Sequence, residues 1–406
     1  MTDTQAKGEK IKQHLSLRAL ISISAMHFIN DLHPTMLPTF LPEIVKRLSL
    51  SLSEAGFLNT LFGLLNLVVQ PFAGQIADKL DRPLLALWAP LFTAGGAYLL
   101  PIAPSYGIAM LIVSMIGFGT ASFHPQGHGL TGIAGGSGRL GTYLAVFSAA
   151  GTFGAALSPL YGVFLLRVLG PSLMPFAIIL VIAVILAAQS GLPKKFVDRD
   201  RITAEKTGSA GSDGKQRNKF SRVLAICLPI IVISIVRDST YQGIRTFLPL
   251  LVTGRGGSIE FGGTLLFAFT AAGVVSSLIC GKLADAFSKK RVVFVMLALS
   301  PMLLFPAIIM KSASSVIFFV LGGACIAATN PVTLAMAQEL VPESRSTASS
   351  LVMGVSWGIA NIAASPIGML GDRIGLEAAL CVVTLLPLLA VAVMAANGVK
   401  RRIAAR

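Results

Sequence analysis

The residues best able to do chemistry in this chain are ionisable and amide side chains that lie inside long apolar segments. An ionised side chain at the centre of a bilayer costs about 2.5–3.5 kcal/mol on insertion scales, so such residues are functional candidates. Four apolar segments contain them. The candidates are His27, Asn30, Asp31, His33, His124, His128, Arg237, Asp238, Tyr241, Gln242, Arg245 and Asn330.

The titratable candidates of the N-terminal half suit proton coupling. His27 and Asp31 are four residues apart, as are His124 and His128, so each pair shares one face of a helix. Coupling to protons needs a group whose charge changes, and histidine changes charge near neutral pH. We predict that Asp31 carries the coupling proton together with His27 or His124.

The fixed cations of the C-terminal half suit an anionic substrate. Arg237, Tyr241 and Arg245 form one stripe along a helix, and Asp238 and Gln242 form an adjacent stripe. Arginine keeps its charge and binds phosphate or carboxylate through two parallel N–H groups, so Arg237 and Arg245 are predicted anion anchors. The predicted substrate-binding residues are Arg237, Asp238, Tyr241, Gln242, Arg245, His128 and Asn330.

A structural role for the same charges is the alternative. Asp31 and Asp238 would then neutralise the two arginines, and neither arginine would contact a substrate. Both interpretations place these charges inside the protein. The arrangement of the helices that carry them decides which interpretation holds.

Composition identifies those elements as membrane helices. Hydrophobic residues make up 54% of the 406 residues, and charged residues only 13%, against about 25% in soluble proteins. A soluble fold of this composition would expose large apolar patches, so soluble, secreted, coiled-coil and disordered classes are excluded. The four cysteines lie in apolar runs without C-x-x-C spacing, and the sequence therefore predicts neither disulfides nor a metal site.

Twelve apolar runs of roughly the length needed to span a bilayer predict an all-α fold in two six-helix bundles. Most of the 33 Lys and Arg residues fall in loops on the side of the termini, which predicts cytoplasmic termini, an inner or plasma membrane location and no nucleic-acid partner. The predicted domains are 1–192 and 222–406, joined by a flexible Gly/Ser/Lys-rich linker at 193–221. The predicted spans are 17–41, 54–77, 83–103, 106–129, 138–166, 173–192, 223–251, 261–284, 292–310, 314–340, 346–370 and 376–397.

The two halves are internal repeats. At an offset of 207 residues Asp31 aligns with Asp238, the run Thr-Phe-Leu-Pro at 39–42 aligns with the same run at 246–249, and Ser-Pro at 158–159 aligns with Ser-Pro at 365–366. Matching Asp, Pro and Ser at one offset is not expected from apolar composition alone. Two repeats of this kind predict bundles related by an axis along the membrane normal, with a site between them.

Short loops repeat as well, and they suit a conformational latch. Gly74, Asp78 and Arg82 close one helix, and Gly281 and Asp285 occupy the equivalent place in the second half. Glycine permits close helix approach, and an aspartate can accept hydrogen bonds from the first amides of a neighbouring helix. We predict that these five residues form contacts that break when the protein switches conformation.

The chain resembles the major facilitator superfamily along nearly its whole length. The loop at 74–82 is similar to the signature G-x-L-A-D-R-x-G-R-R, although Pro83 replaces the second glycine. The fifth predicted span, 138–166, carries Ala145, Gly154, Ser158-Pro159 and Gly162, a degenerate form of the antiporter signature. The runs at 27–31 (His-Phe-Ile-Asn-Asp) and 123–125 (Phe-His-Pro) resemble the fosmidomycin-resistance branch, whose members are proton-driven drug exporters.

Residues and resemblance together predict a secondary transporter that works by alternating access. It would exchange protons for a small, anionic or phosphonate-like organic compound, with no cofactor beyond the proton gradient, and act as a monomer. An uptake symporter of a small organic anion is the alternative within the class. A membrane-embedded enzyme lacks support from H-E-x-x-H, G-x-S-x-G or P-loop motifs, and a transport-dead sensor would have no need of the latch loops.

Overall fold

The structure is a computed structural model that describes the backbone of residues 3–77, 79–80, 82–192, 213–342, 348 and 351–404. Within these ranges the regular elements are helices, and none of them is a β-strand. The α-helices are α1 (Asp3–Leu32), α2 (Met36–Leu48), α3 (Leu52–Ala77), α4 (Leu84–Leu99), α5 (Tyr106–Leu173), α6 (Ile178–Gln189), α7 (Asp213–Gly254), α8 (Ile259–Ala286), α9 (Lys289–Ile309), α10 (Ser315–Leu340), α11 (Ser356–Ile362), α12 (Ala364–Ile374), α13 (Leu376–Leu385) and α14 (Pro387–Ala404).

Ten helical stretches of the described residues are long and apolar enough to cross a membrane. Between them they cover every predicted span except the first. The predicted first span, 17–41, is interrupted because α1 ends at Leu32 and α2 begins at Met36. Pro34 accounts for the break, since it has no amide hydrogen and disfavours helical backbone in the residue before it.

Two further boundaries differ from the prediction. The helical backbone of α5 continues through residues 130–137, where the sequence predicted a loop between two spans. Hydropathy locates the part of a helix that suits lipid, whereas backbone hydrogen bonds decide where the helix ends. In the same way α7 begins at Asp213, so the last residues of the predicted linker are helical, and residues 193–212 lie outside the described residues.

Contacts between Cα atoms divide the chain into two compact units. The first unit contains residues 1–40 and 65–210, and the second contains residues 41–64 and 211–406. The start of α3 therefore belongs to the second unit. There the Asp372 carboxylate accepts hydrogen bonds from the amides of Leu52 and Ser53 at 2.7 and 2.9 Å. This contact satisfies amides that the first turn of a helix leaves without a partner.

Large apolar side chains lie on the outside of both units as well as in their cores. Phe153 and Phe164 are exposed in the first unit, and Leu278 and Met302 are exposed in the second. Such a surface would aggregate in water and is stable in lipid. The candidate functional residues are therefore the polar side chains of the interior, which do not face lipid.

Candidate functional site

Asp31 lies between two imidazole rings inside the first unit. Its Oδ2 is 3.1 Å from His27 Nε2, one helical turn away on α1, and its Oδ1 is 3.4 Å from His124 Nε2 on α5. Asn30 donates a hydrogen bond to Oδ1 at 3.0 Å. The structure therefore brings together all three residues that the sequence predicts for proton coupling, and Asp31 meets both histidines at once.

Backbone carbonyl groups fix the orientation of both rings. The Nδ1 of His27 is 2.8 Å from the carbonyl oxygen of Phe147, and the Nδ1 of His124 is 2.7 Å from that of Thr120. A carbonyl oxygen only accepts hydrogen bonds, so each Nδ1 carries a hydrogen. The Nε2 of each ring is consequently the nitrogen that faces Asp31.

Packing between α1 and α5 holds the His27 ring in place. The ring stacks on Phe147 with 4.0 Å between centroids and on Phe123 with 5.5 Å. A Cβ at Gly151 would collide with the imidazole, and a Cβ at Gly154 would collide with the α1 backbone at Phe28. Glycine is therefore needed at both positions for the close approach of these helices.

The remaining histidines that the sequence analysis singled out have different surroundings. His33 is fully buried, with Nδ1 bonded to the Ile29 carbonyl at 2.6 Å and Nε2 2.8 Å from the Tyr98 hydroxyl. Tyr98 is in turn 3.1 Å from the Tyr161 hydroxyl, so this imidazole belongs to a closed internal network. His128 is exposed, and its ring lies 6.5 Å from that of His124.

Arg237 and Asp238 form a bidentate ion pair inside the second unit. Nε donates to Oδ1 and Nη2 donates to Oδ2, both at 2.9 Å, while Nη1 donates to Thr333 Oγ1 at 2.8 Å. Asn330, a predicted substrate-binding residue, accepts from Nη2 at 3.4 Å. The exposed fractions of the two charged residues are only 2% and 5%. Arg237 and Asp238 are therefore a buried, hydrogen-bonded ion pair.

Arg245 lies two turns further along α7 and is held by an amide network. Its Nη1 donates to Gln242 Oε1 at 3.1 Å, and Gln242 Nε2 donates to Asn361 Oδ1 at 3.1 Å. Asn59 of α3 donates to the same oxygen at 3.2 Å. The remaining stripe residue, Tyr241, is half-buried and stacks on Phe269 with 5.2 Å between ring centroids. Arg245 is therefore an incompletely buried cation whose guanidinium donates to the Gln242 amide oxygen.

Two of the five predicted latch residues lie wholly or partly outside the described residues. Asp78 falls there, and so does the side chain of Asp285. Gly74 packs near Pro125, with 3.6 Å from an ideal Cβ to the ring, whereas Gly281 has open space around it. Arg82 is exposed, and its carbonyl oxygen accepts a hydrogen bond from Gln126 at 3.3 Å. The latch remains a prediction.

Sequence reasoning missed several residues of these clusters. Asn361 and Asn59 are amides within predicted spans, so the same search that found Asn330 could have identified them. Thr333 and the Phe147 carbonyl carry no such signal, because threonine is common in membrane helices and every residue has a carbonyl group. Their importance follows from which helices are neighbours.

The cluster of His27, Asp31 and His124 is small enough for its three side chains to share one cation. The ligand atoms of His27, Asp31 and His124 all lie within 4.8 Å of one another. The sequence predicts that the cation shared there is the proton and that the protein has no metal, and both statements remain predictions.

Comparison with known proteins gives a consistent family assignment. The family model of the Major Facilitator Superfamily matches residues 23–262 and 230–402. The chain is 26% identical over 386 residues to the fosmidomycin resistance protein of Escherichia coli K12, covering 95% of this chain and 94% of that protein. It is 27% identical over 377 residues to the uncharacterised MFS-type transporter YfnC of Bacillus subtilis 168, covering 92% and 91%.

Solved structures show the same fold at low identity. A bacterial homologue of the human lysosomal transporter Spinster, inward-facing and unoccupied, has a TM-score of 0.73 at 14% identity and covers 94% of this chain and 96% of its own. The nucleoside transporter NupG has a TM-score of 0.73 at 14% identity, covering 94% and 98%. The family match spans both halves of the chain and agrees with the all-helical membrane fold. The chain therefore belongs to the Major Facilitator Superfamily and is a membrane transporter rather than an enzyme.

Proposed function

We propose that this transporter exports a small organic anion, phosphonate-like in its chemistry, in exchange for protons by alternating access. The observation that carries the proposal is the position of Asp31 between two imidazoles whose Nε2 atoms both face its carboxylate. A cluster of three titratable groups in a membrane interior can bind and release protons, and the carboxylate offsets the charge of a protonated ring.

Arg245 is the residue that we propose binds the anionic group of the substrate. A guanidinium cannot deprotonate, so its attraction for an anion persists whichever protons the first cluster holds. The hydrogen bond from Nη1 to Gln242 orients the planar group, which favours two-point binding of a phosphonate or carboxylate. Arg237 is less suited to this role because Asp238 occupies its guanidinium.

The names of two relatives favour export of drugs. One relative is a fosmidomycin resistance protein, and another, 26% identical over 298 residues, is the multidrug resistance protein MdtG of Dickeya zeae. Export of fosmidomycin, itself a phosphonate, would agree with the arginine chemistry. We further propose a monomer in the inner membrane with both termini in the cytoplasm, as the distribution of Lys and Arg predicts.

Transport in proteoliposomes tests the proposal. Purified protein is reconstituted, and fosmidomycin flux is measured with a pH gradient imposed in each direction. Antiport predicts that the drug accumulates in the more acidic compartment, against its own gradient. Accumulation in the more alkaline compartment would instead establish a symporter, and flux that ignores the pH gradient would refute proton coupling.

A conservative variant tests the anchor. Arg245→Lys keeps the charge but loses the planar two-point contact, so the affinity for fosmidomycin should fall about tenfold or more while folding is retained. Arg373→Lys, at an exposed arginine of α12, is the matched control and should bind as the wild type does. Unchanged affinity in Arg245→Lys would remove Arg245 from the binding site.

A further inference from the structure

The imidazole of His27 contains a buried nitrogen that the hydrogen bonds of the described residues leave unused. His27 is only 4% exposed, and its Nδ1 donates to the Phe147 carbonyl at 2.8 Å. Its Nε2 has no hydrogen-bond partner among the described residues, although Asp31 Oδ2 is 3.1 Å away, so that contact lacks the direction of a hydrogen bond. Because a buried polar atom without a partner is costly, this nitrogen points to a ligand.

Two more electron-pair donors converge on the same space. Asp31 offers its carboxylate, and His124 of α5 offers Nε2, which is 3.4 Å from Asp31 Oδ1. The Nδ1 of His124 donates to the Thr120 carbonyl at 2.7 Å, so the Nε2 of the neutral ring carries a lone pair. The ligand atoms of the three residues all lie within 4.8 Å of one another. Lone pairs gathered in this way suit a cation.

The separations agree with those around a tetrahedral metal ion. Bonds of about 2.0–2.2 Å place neighbouring ligand atoms roughly 3.4 Å apart and the centroids of two bound imidazoles about 5 Å apart. The two distances from Nε2 to a carboxylate oxygen are 3.1 and 3.4 Å. The ring centroids of His27 and His124 are 5.3 Å apart, with the ring planes at 88°. Small side-chain adjustments therefore suffice to place all three groups around one ion.

Hydrogen bonds to the backbone and to Asn30 hold the three groups as metal ligands are held. A histidine that binds a metal usually donates its other N–H to a carbonyl or carboxylate, which fixes the ring and its tautomer. Both rings donate to a backbone carbonyl here, and Asn30 donates to Asp31 Oδ1 at 3.0 Å. Stacking on Phe147, with 4.0 Å between centroids, further restrains His27. The ligand positions are therefore preorganised.

We propose that His27 Nε2, His124 Nε2 and the Asp31 carboxylate bind one divalent transition-metal ion of the Zn²⁺ class. Two imidazoles and one carboxylate suit this class, whereas Mg²⁺ and Ca²⁺ prefer shells of oxygen atoms. The side chains of Asp31 and His124 are 19% and 21% exposed, so an ion can reach the cluster and water can complete its coordination. The proposal departs from the sequence-based prediction of no metal, which rested on cysteine spacing. The proposed transport does not require the ion.

Metal binding to the intact protein tests the site directly. The full chain, without an affinity tag, is placed in phosphatidylcholine nanodiscs, stripped with a chelator and titrated with Zn²⁺ at about pH 8, where imidazole is mostly neutral. We expect one tightly bound Zn²⁺ per chain and no binding of Mg²⁺ at the same concentration. X-ray absorption should show a first shell of nitrogen and oxygen at about 2.0–2.2 Å. A sulfur ligand, or the absence of stoichiometric binding, would overturn the proposal.

Three variants locate the ion. Loss of an outer-shell partner alone costs roughly 10–100-fold in metal affinity, so Asp31→Asn and His124→Gln, which each remove a ligand, should weaken Zn²⁺ binding by about 100-fold or more. His128→Gln is the matched control, because that ring is 6.5 Å from those of His27 and His124, and it should bind as the wild type does. Wild-type affinity in Asp31→Asn or His124→Gln would contradict the assignment. X-ray absorption needs no substitution, so it decides the ligand type even if a variant does not fold.

The outcomes separate this inference from the proposed function. Zn²⁺ binding needs neither substrate nor proton gradient, so a protein that binds the ion and does not transport fosmidomycin keeps the metal site and rejects the exporter. Proton-driven fosmidomycin transport by a protein that binds no Zn²⁺ keeps the exporter and rejects the metal site.

Inhibition by Zn²⁺ is a consequence that rests on the proposed function. The bound ion would occupy the groups that carry the coupling proton, so saturating Zn²⁺ should reduce flux driven by a pH gradient by about tenfold or more. Undiminished flux with the ion bound would keep the metal site and remove proton coupling from this cluster.

Discussion

Removing one member of the Arg237–Asp238 pair should destabilise the protein far more than removing both. The two side chains are joined by two hydrogen bonds of 2.9 Å and are almost completely buried. A single substitution such as Arg237→Met leaves a buried carboxylate without its partner, which costs about 3–5 kcal/mol. That loss corresponds to roughly two to four orders of magnitude in the unfolding equilibrium constant.

The double variant Arg237→Met/Asp238→Leu removes both charges and replaces them with apolar side chains. Substitutions of this kind are often neutral or stabilising, so we expect stability within about 1 kcal/mol of the wild type. The coupling energy should then exceed about 3 kcal/mol, because each single substitution carries the cost of an unpaired charge. Thr333 and Asn330 reduce the recovery of stability in the double variant, because each loses a hydrogen bond to the guanidinium.

The assay is a double-mutant cycle measured by reversible unfolding in mixed micelles, with fosmidomycin affinity measured on the same four proteins. The surface pair Lys289–Glu339, 2.9 Å apart and more exposed, is the control and should show a coupling of at most about 1 kcal/mol. If the double variant lost as much unfolding free energy as the two single variants together, the counter-ion argument for Arg237 and Asp238 would be refuted. A double variant with restored stability but lost affinity would make Arg237 a substrate anchor after all.

Three further changes probe separate parts of the molecule. Asp31→Asn should abolish accumulation driven by a pH gradient and retain counterflow, which moves no net proton; accumulation with wild-type pH dependence would exclude Asp31 as the carrier. Gly151→Ala places a Cβ on the His27 ring, so proton-driven flux should fall several-fold, whereas Gly107→Ala on the same helix has open space and should transport normally. Asp372→Ala removes two capping hydrogen bonds from α3 and should lower the free energy of unfolding by about 1 kcal/mol; an unchanged unfolding curve would show that this cap contributes nothing.

The sequence alone determined the class of protein and the segments that matter. The low charge content and the long apolar runs follow from the energetic requirements of lipid, which hold whatever the tertiary structure is. The spacing of four residues between His27 and Asp31 also made their contact predictable, because one helical turn separates them. The ends of the membrane spans were harder to predict from the sequence, as the break at Pro34 and the continuous backbone of α5 show.

Only the tertiary structure decided which charged groups meet. Asp31 and Asp238 occupy equivalent positions in the repeat, yet Asp31 faces two histidines and Asp238 pairs with the adjacent Arg237. The contact between Asp31 and His124 joins residues 93 positions apart, and it depends on how α1 and α5 are rotated against each other. Glycines at 151 and 154 permit the close approach of α5 to His27 and Phe28. A partner on another helix is fixed by helix packing, and the spacing of residues along one helix contains no record of which helix lies beside it.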